Sequence, residues 1–183
     1  MQDTLAVTGN IHHLSGYISY FEHQVEARRE CDNILTECPN YFAWLYISSE
    51  SIYYKIKELI YFNEKDHTVF DKPYSELLNL LFSSFALSNE GKKRVLIFSK
   101  IRHLLVHKGF PNPHFTPSNT PRRLASDIPF DLDDVWNVCE KLRDPKVYFD
   151  LKTDYYLILN ELDSMEININ INFGNIEFYK GTS

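Results

Sequence analysis

At 183 residues, 44% of them hydrophobic, the chain can bury one sizeable core and is expected to form a single domain over 1–183. Its net charge of −6 argues against a uniformly cationic nucleic-acid binder, and no uncharged apolar run approaches the roughly eighteen residues of a membrane span. No basic stretch precedes an apolar one at the N-terminus, so no secretory signal is expected. The three cysteines (Cys31, Cys38, Cys139) lack CxxC pairing and read as reduced thiols of a cytoplasmic protein.

Residues 1–12 show no period and are expected to form a loose lead. Leu14, Tyr17, Ile18, Phe21 and Val25 then keep helical spacing, with Glu22, Glu26, Arg29 and Glu30 on the other side, predicting a helix from Leu14 to about Leu35. Residues 36–40, with Pro39, break it. A second helix, Tyr41 to about Asn63, is apolar nearly all round, with Leu45, Ile52, Ile56, Leu59 and Ile60 as its core stripe and Glu50 and Lys57 as interruptions. Such a helix is central in a bundle or covered by a second subunit. After a polar connection, Pro73 opens a third helix, in which Leu77, Leu78, Leu80, Leu81 and Phe85 carry the apolar face to about Ser88. Asn89, Glu90 and Gly91 read as a turn, and a fourth helix runs from Lys92 to Lys108.

Residues 110–130 hold five of the eight prolines and predict a long loop bearing His114, Arg122 and Arg123, the two arginines being candidate phosphate contacts if it folds back. Asp131 suits the cap of a fifth helix, and Asp144-Pro145 opens a sixth with Tyr148, Leu151, Tyr155, Ile158 and Leu162 on its core face. Near the end, Ile167, Ile169, Ile171 and Phe173 alternate with asparagines, and Gly174-Asn175 suits a tight turn. That pattern predicts a small β-hairpin over 166–180. The expected architecture is all-α, an up-and-down bundle of about five or six helices with that C-terminal hairpin.

The fourth helix carries the chemistry. Ile97, Ile101, Leu104 and Leu105 would face the core, while Arg102, His103 and His107 occupy the polar side, with Lys100 and Lys108 beside them. Gly109 and Pro111 suit the end of the helix. From Gly91 to Ala125 there is no acid at all, and eight Lys and Arg residues give +8; the rest of the chain has eleven basic and twenty-five acidic residues, or −14. Such a block is either the footprint of an anionic ligand or one face that balances acids on neighbouring helices. His103 and His107 sit at i and i+4 as zinc ligands do, but Leu104 follows where H-E-x-x-H places its Glu, and Arg102 would repel a divalent cation. Cleavage of RNA suits these groups better, because RNA supplies its own 2′-hydroxyl nucleophile and the protein need add only a proton-transfer group and a cation for the phosphate. Arg102 and His107 lie about 140° apart around one helix at ~100° per residue. Two such helix ends facing each other across a two-fold dimer bring two of each residue into one cleft.

Arg102-His103-Leu104-Leu105-Val106-His107 resembles the R-polar-x-x-x-H motif of the HEPN superfamily, all-α domains many of which are endoribonucleases. The likeness covers six residues in motif and roughly 14–165 in architecture. It implies a homodimer with a composite site, no metal and no cofactor, 2′,3′-cyclic phosphate and 5′-hydroxyl products, and a role as a toxin or anti-phage effector restrained by an antitoxin or other regulatory protein. Arg102 would hold the phosphate, His107 would act as general base or acid, and His103 would orient or bind. Lys100, Lys108, Arg122 and Arg123 would support RNA binding. By its own context Glu50, flanked by serines on the second helix, either points at the motif from that neighbouring helix or is a solvated surface residue. Two readings compete: a HEPN-like module that dimerises or binds a nucleotide or protein without catalysis, and a regulatory helical protein whose C-terminal hairpin docks on another chain.

Overall fold

The computed structural model describes residue 14, residues 16–107 and residues 141–172. Among these residues the regular structure is helical, with no strand. In chain order the elements are α1 (16–26), α2 (Ile34–Glu37), α3 (Pro39–Glu64), a 3-10 helix (His67–Asp71), α4 (Tyr74–Ser84), α5 (Asn89–His107) and α6 (Pro145–Asn172). No helix among them is long and apolar enough to cross a membrane.

The long helix α3 is the centre of the bundle, packing against α2, the 3-10 helix, α4, α5 and α6. Its expected stripe of Leu45, Ile52, Ile56, Leu59 and Ile60 is completely buried, as is the aromatic pair Tyr41 and Trp44. Trp44 stacks on Tyr41 at 6.3 Å and meets the Tyr148 and Tyr155 rings of α6 edge-on at 5.0 and 6.4 Å. Edge-to-face pairs match the positive rim of one ring to the negative face of another, so part of the chain's aromatic content is spent in locking α6 to α3. All five expected core positions of α6 are buried.

Several expectations are corrected. The first helix stops at residue 26, where Arg28 and Arg29 N–H tighten to the carbonyls of Val25 and Glu26. The polar run Cys31-Asp32-Asn33 then reverses the chain, and Asn33 Oδ1 caps α2 by accepting from Leu35 N. Tyr17 is 57% exposed, and Ile18, Phe21 and Val25 carry the contact instead. Glu22, assigned by spacing to the polar side, is buried. Its carboxylate accepts from Trp44 Nε1 (3.3 Å) and Tyr156 Oη (3.0 Å) and lies 3.2 Å from Lys152 Nζ. A buried charge persists only when paired in this way.

The expected turn at Asn89-Glu90-Gly91 is the first turn of α5. Ser88 Oγ accepts from Gly91 N at 2.9 Å, and Glu161 of α6 accepts from Ser88 N at 2.6 Å and from its hydroxyl at 3.2 Å. This is the bonding of a capping box, with the glutamate supplied by another helix. Within α5, Ile97 is 39% exposed, because the buried stripe runs through Val95, Phe98 and Ile101. The hairpin is not formed where its first strand was expected. Residues 167–172 continue α6, which meets no Pro or Gly before Gly174, and adding residues to an existing helix needs no new nucleus. The loop 110–130, the fifth helix up to residue 140 with Cys139, the return strand and the 1–12 lead lie outside the described residues, while Leu142, the last expected core position of that helix, is buried.

Candidate functional site

Three elements converge on Arg102. Helix α5 presents it between the buried residues Ile101 and Leu104, so the backbone of this turn is held against the core while the guanidinium reaches sideways towards α3. There Glu50 Oε1 lies 2.8 Å from Arg102 Nε, with side-chain exposures of 10% and 17%. The contact is coulombic: the distance is that of an ion pair, but the alignment falls short of a hydrogen bond at Nε. Arginine carries further N–H donors on its two Nη atoms.

Aromatic rings line the same guanidinium. Arg102 Cζ lies 4.2 Å from the centre of the Tyr53 ring and 5.4 Å from that of Tyr74, and the two rings meet edge to face at 4.8 Å. Tyr53 is one turn beyond Glu50 on α3, and Tyr74 is the first residue of α4, placed by Pro73 at the helix start. Burial pushes the Tyr74 hydroxyl well above its ordinary pKa of 10, with the charge of Arg102 opposing that rise and nearby Ser99 adding a weaker opposing interaction. Burial also raises the hydroxyl of Tyr54, as does the charge of Glu50. One turn further along α3, the buried Lys57 donates to the Phe70 carbonyl at 2.7 Å and sits 4.5 Å from the Tyr53 ring centre.

Of the residues singled out by sequence, the structure therefore brings Glu50 and Arg102 together. His103 follows on α5, half-buried with its Nε2 atom in the interior, and Lys100 is half-buried two residues before Arg102. His107 is the last residue of α5, five positions after Arg102. Lys108, His114, Arg122 and Arg123 lie outside the described residues. Tyr53, Tyr74 and Lys57 were missed as site residues. A signal for two of them was present: Glu50, Tyr53 and Lys57 are at i, i+3 and i+7, one face of a helix.

The basic block is partly consumed by internal pairing. Lys93 meets Glu90 at 2.8 Å, Arg94 meets Asp154 of α6 at 2.7 Å, and Lys92 lies 5.8 Å from the Phe82 ring centre. Arg94 with Asp154 and Arg102 with Glu50 balance acids on neighbouring helices, and Lys93 balances an acid of its own helix, which accounts for part of the local +8. Among the described residues no cluster of three His, Cys, Asp or Glu side chains has the form of a metal site. Compared with known proteins, the chain matches no protein-family model, no curated protein and no solved structure.

Proposed function

We propose that the protein is a metal-independent endoribonuclease of HEPN type. The observation that carries this reading is the pairing of Arg102 with Glu50 on α3, which fixes an arginine five residues before the histidine that ends α5. A permanently charged guanidinium held in one place is suited to a phosphate whose charge grows in the transition state.

In the proposed reaction the 2′-hydroxyl oxygen attacks the adjacent phosphorus, and its proton passes to a general base. The bond from phosphorus to the 5′-oxygen breaks, and the leaving oxygen takes a proton from a general acid. The products are a 2′,3′-cyclic phosphate and a 5′-hydroxyl. His107 serves as base or acid, its counterpart in a second copy serves in the other role, and Arg102 holds the phosphate. His103 orients the motif, with Lys100, Lys108, Arg122 and Arg123 as supporting RNA contacts. The biological role follows the resemblance: a toxin or anti-phage effector kept in check by a partner protein.

A second reading draws on the same ion pair. An arginine paired and mostly buried between helices also serves as a structural lock, which favours a non-catalytic HEPN-like module for dimerisation or for binding a nucleotide or protein. The two readings part on one experiment, incubation of total cellular RNA in EDTA with the purified protein and with His107→Ala. The nuclease reading expects cleavage by wild type, cyclic phosphate ends, and loss of cutting in the variant. No cutting by a dimeric, folded wild type would favour the binding module, and equal cutting by both proteins would remove His107 from the mechanism.

A further inference from the structure

We infer that Tyr53 is a positioning residue for Arg102, an aromatic platform that sets the plane of the guanidinium. The inference rests on the ribonuclease reading and adds to it a residue that the motif does not contain.

The argument starts from what the Glu50 pair leaves undone. One coulombic contact at Nε restrains one edge of a planar ion and leaves the plane free to turn about the side-chain axis. A ring 4.2 Å away removes that freedom, because a cation is drawn to the ring face and a planar cation also gains by stacking. Tyr53 has further partners of its own. Tyr74 meets it edge to face at 4.8 Å, and Lys57 lies 4.5 Å from its centre. Lys57 is anchored in turn by the Phe70 carbonyl, so the 3-10 helix braces the platform. Two cations gather on this one half-buried ring, more than apolar packing requires. The ring, not the hydroxyl, makes these contacts.

The test substitutes Tyr53 in the full-length protein and reads two quantities. In RNA cleavage, Tyr53→Phe keeps wild-type kinetics, whereas Tyr53→Leu lowers kcat by roughly tenfold to a hundredfold with KM within about twofold. In NMR, the Arg102 Nε–Hε resonance carries the ring-current shift of a proton near an aromatic face in wild type and in Tyr53→Phe, and loses it in Tyr53→Leu. Rescue by Phe, with both variants assayed at a temperature where circular dichroism shows each fully folded, separates positioning from loss of folding. Wild-type kcat in Tyr53→Leu, or an unmoved Arg102 resonance, overturns the inference while leaving the nuclease reading intact. Absence of cleavage by wild type overturns the nuclease reading itself, and with it this role.

Discussion

Arg102 and Glu50 pose a question of energetics before one of function. Removing one partner of a mostly buried ion pair leaves the other charge in the interior, at a cost of up to about 3 kcal/mol. Glu50→Leu and Arg102→Leu are each expected to lower stability on that scale. The double variant is expected to be more stable than the sum of the two losses, with a coupling of about 1–3 kcal/mol in urea denaturation. Additive losses would mean that the two side chains act independently. Tyr53 shows how far a residue can be read from sequence. Its alignment with Glu50 and Lys57 on one face of α3 is legible, and Lys57 of the same helix already meets its ring, but only the arrival of α5 beside α3 brings Arg102 to it.

At the scale of the element, the start of α5 depends on α6. Ser88 caps the helix by accepting from Gly91 N, and Glu161 holds Ser88 in place through its backbone N–H and hydroxyl. A Cβ on Gly91 would strike the Glu161 carboxylate, so glycine here serves close approach. Glu161→Ala is expected to cost about 1 kcal/mol by loosening the cap and to speed hydrogen exchange in the first turn of α5. Gly91→Ala is destabilising in the wild-type background. Without Glu161 the clash is gone, and the same substitution becomes stabilising by roughly 0.5–1 kcal/mol, the ordinary advantage of Ala over Gly in a helix. Equal effects of Gly91→Ala in both backgrounds, read by thermal melting, would contradict this coupling. Local spacing missed the arrangement because Asn-Glu-Gly has the composition of a turn, and the acid that completes the cap is 73 residues away.

Over the whole molecule, the aromatic interior sets a limit on alkaline stability. Burial is the first cause that raises the hydroxyls of Tyr41, Tyr74, Tyr148 and Tyr155 above their ordinary pKa of 10, with Glu26 adding to it at Tyr148. The folded protein therefore keeps these protons at a pH where the unfolded chain has lost them. Their contribution to stability is complete below pH about 10 and is lost as pH rises above it. The expected result is a melting temperature that falls steeply on the alkaline side, with tyrosinate absorbance appearing together with loss of helical circular dichroism. Titration of these tyrosines near their ordinary value, with the helices intact, would contradict the buried aromatic core.

The periodicity of the chain by itself determined the helical class, the position of α3 and the core faces of α3, α4 and α6, because a buried helix must repeat its apolar residues near 3.6. It also located the polar turn of α5 that bears Arg102. Tertiary structure alone decided where α1 ends, that Glu22 is buried rather than solvated, that Phe98 and not Ile97 faces inward, and that residues 167–172 extend a helix. Sequence offered Glu50 as a residue facing the motif, but only packing chose Arg102 as its partner and set that arginine against the Tyr53 and Tyr74 rings. The reason is common to all of these. Periodicity reports which side of an element is apolar, whereas the partner of a charge or ring is chosen by packing between helices distant in sequence, and that choice leaves no local pattern to read.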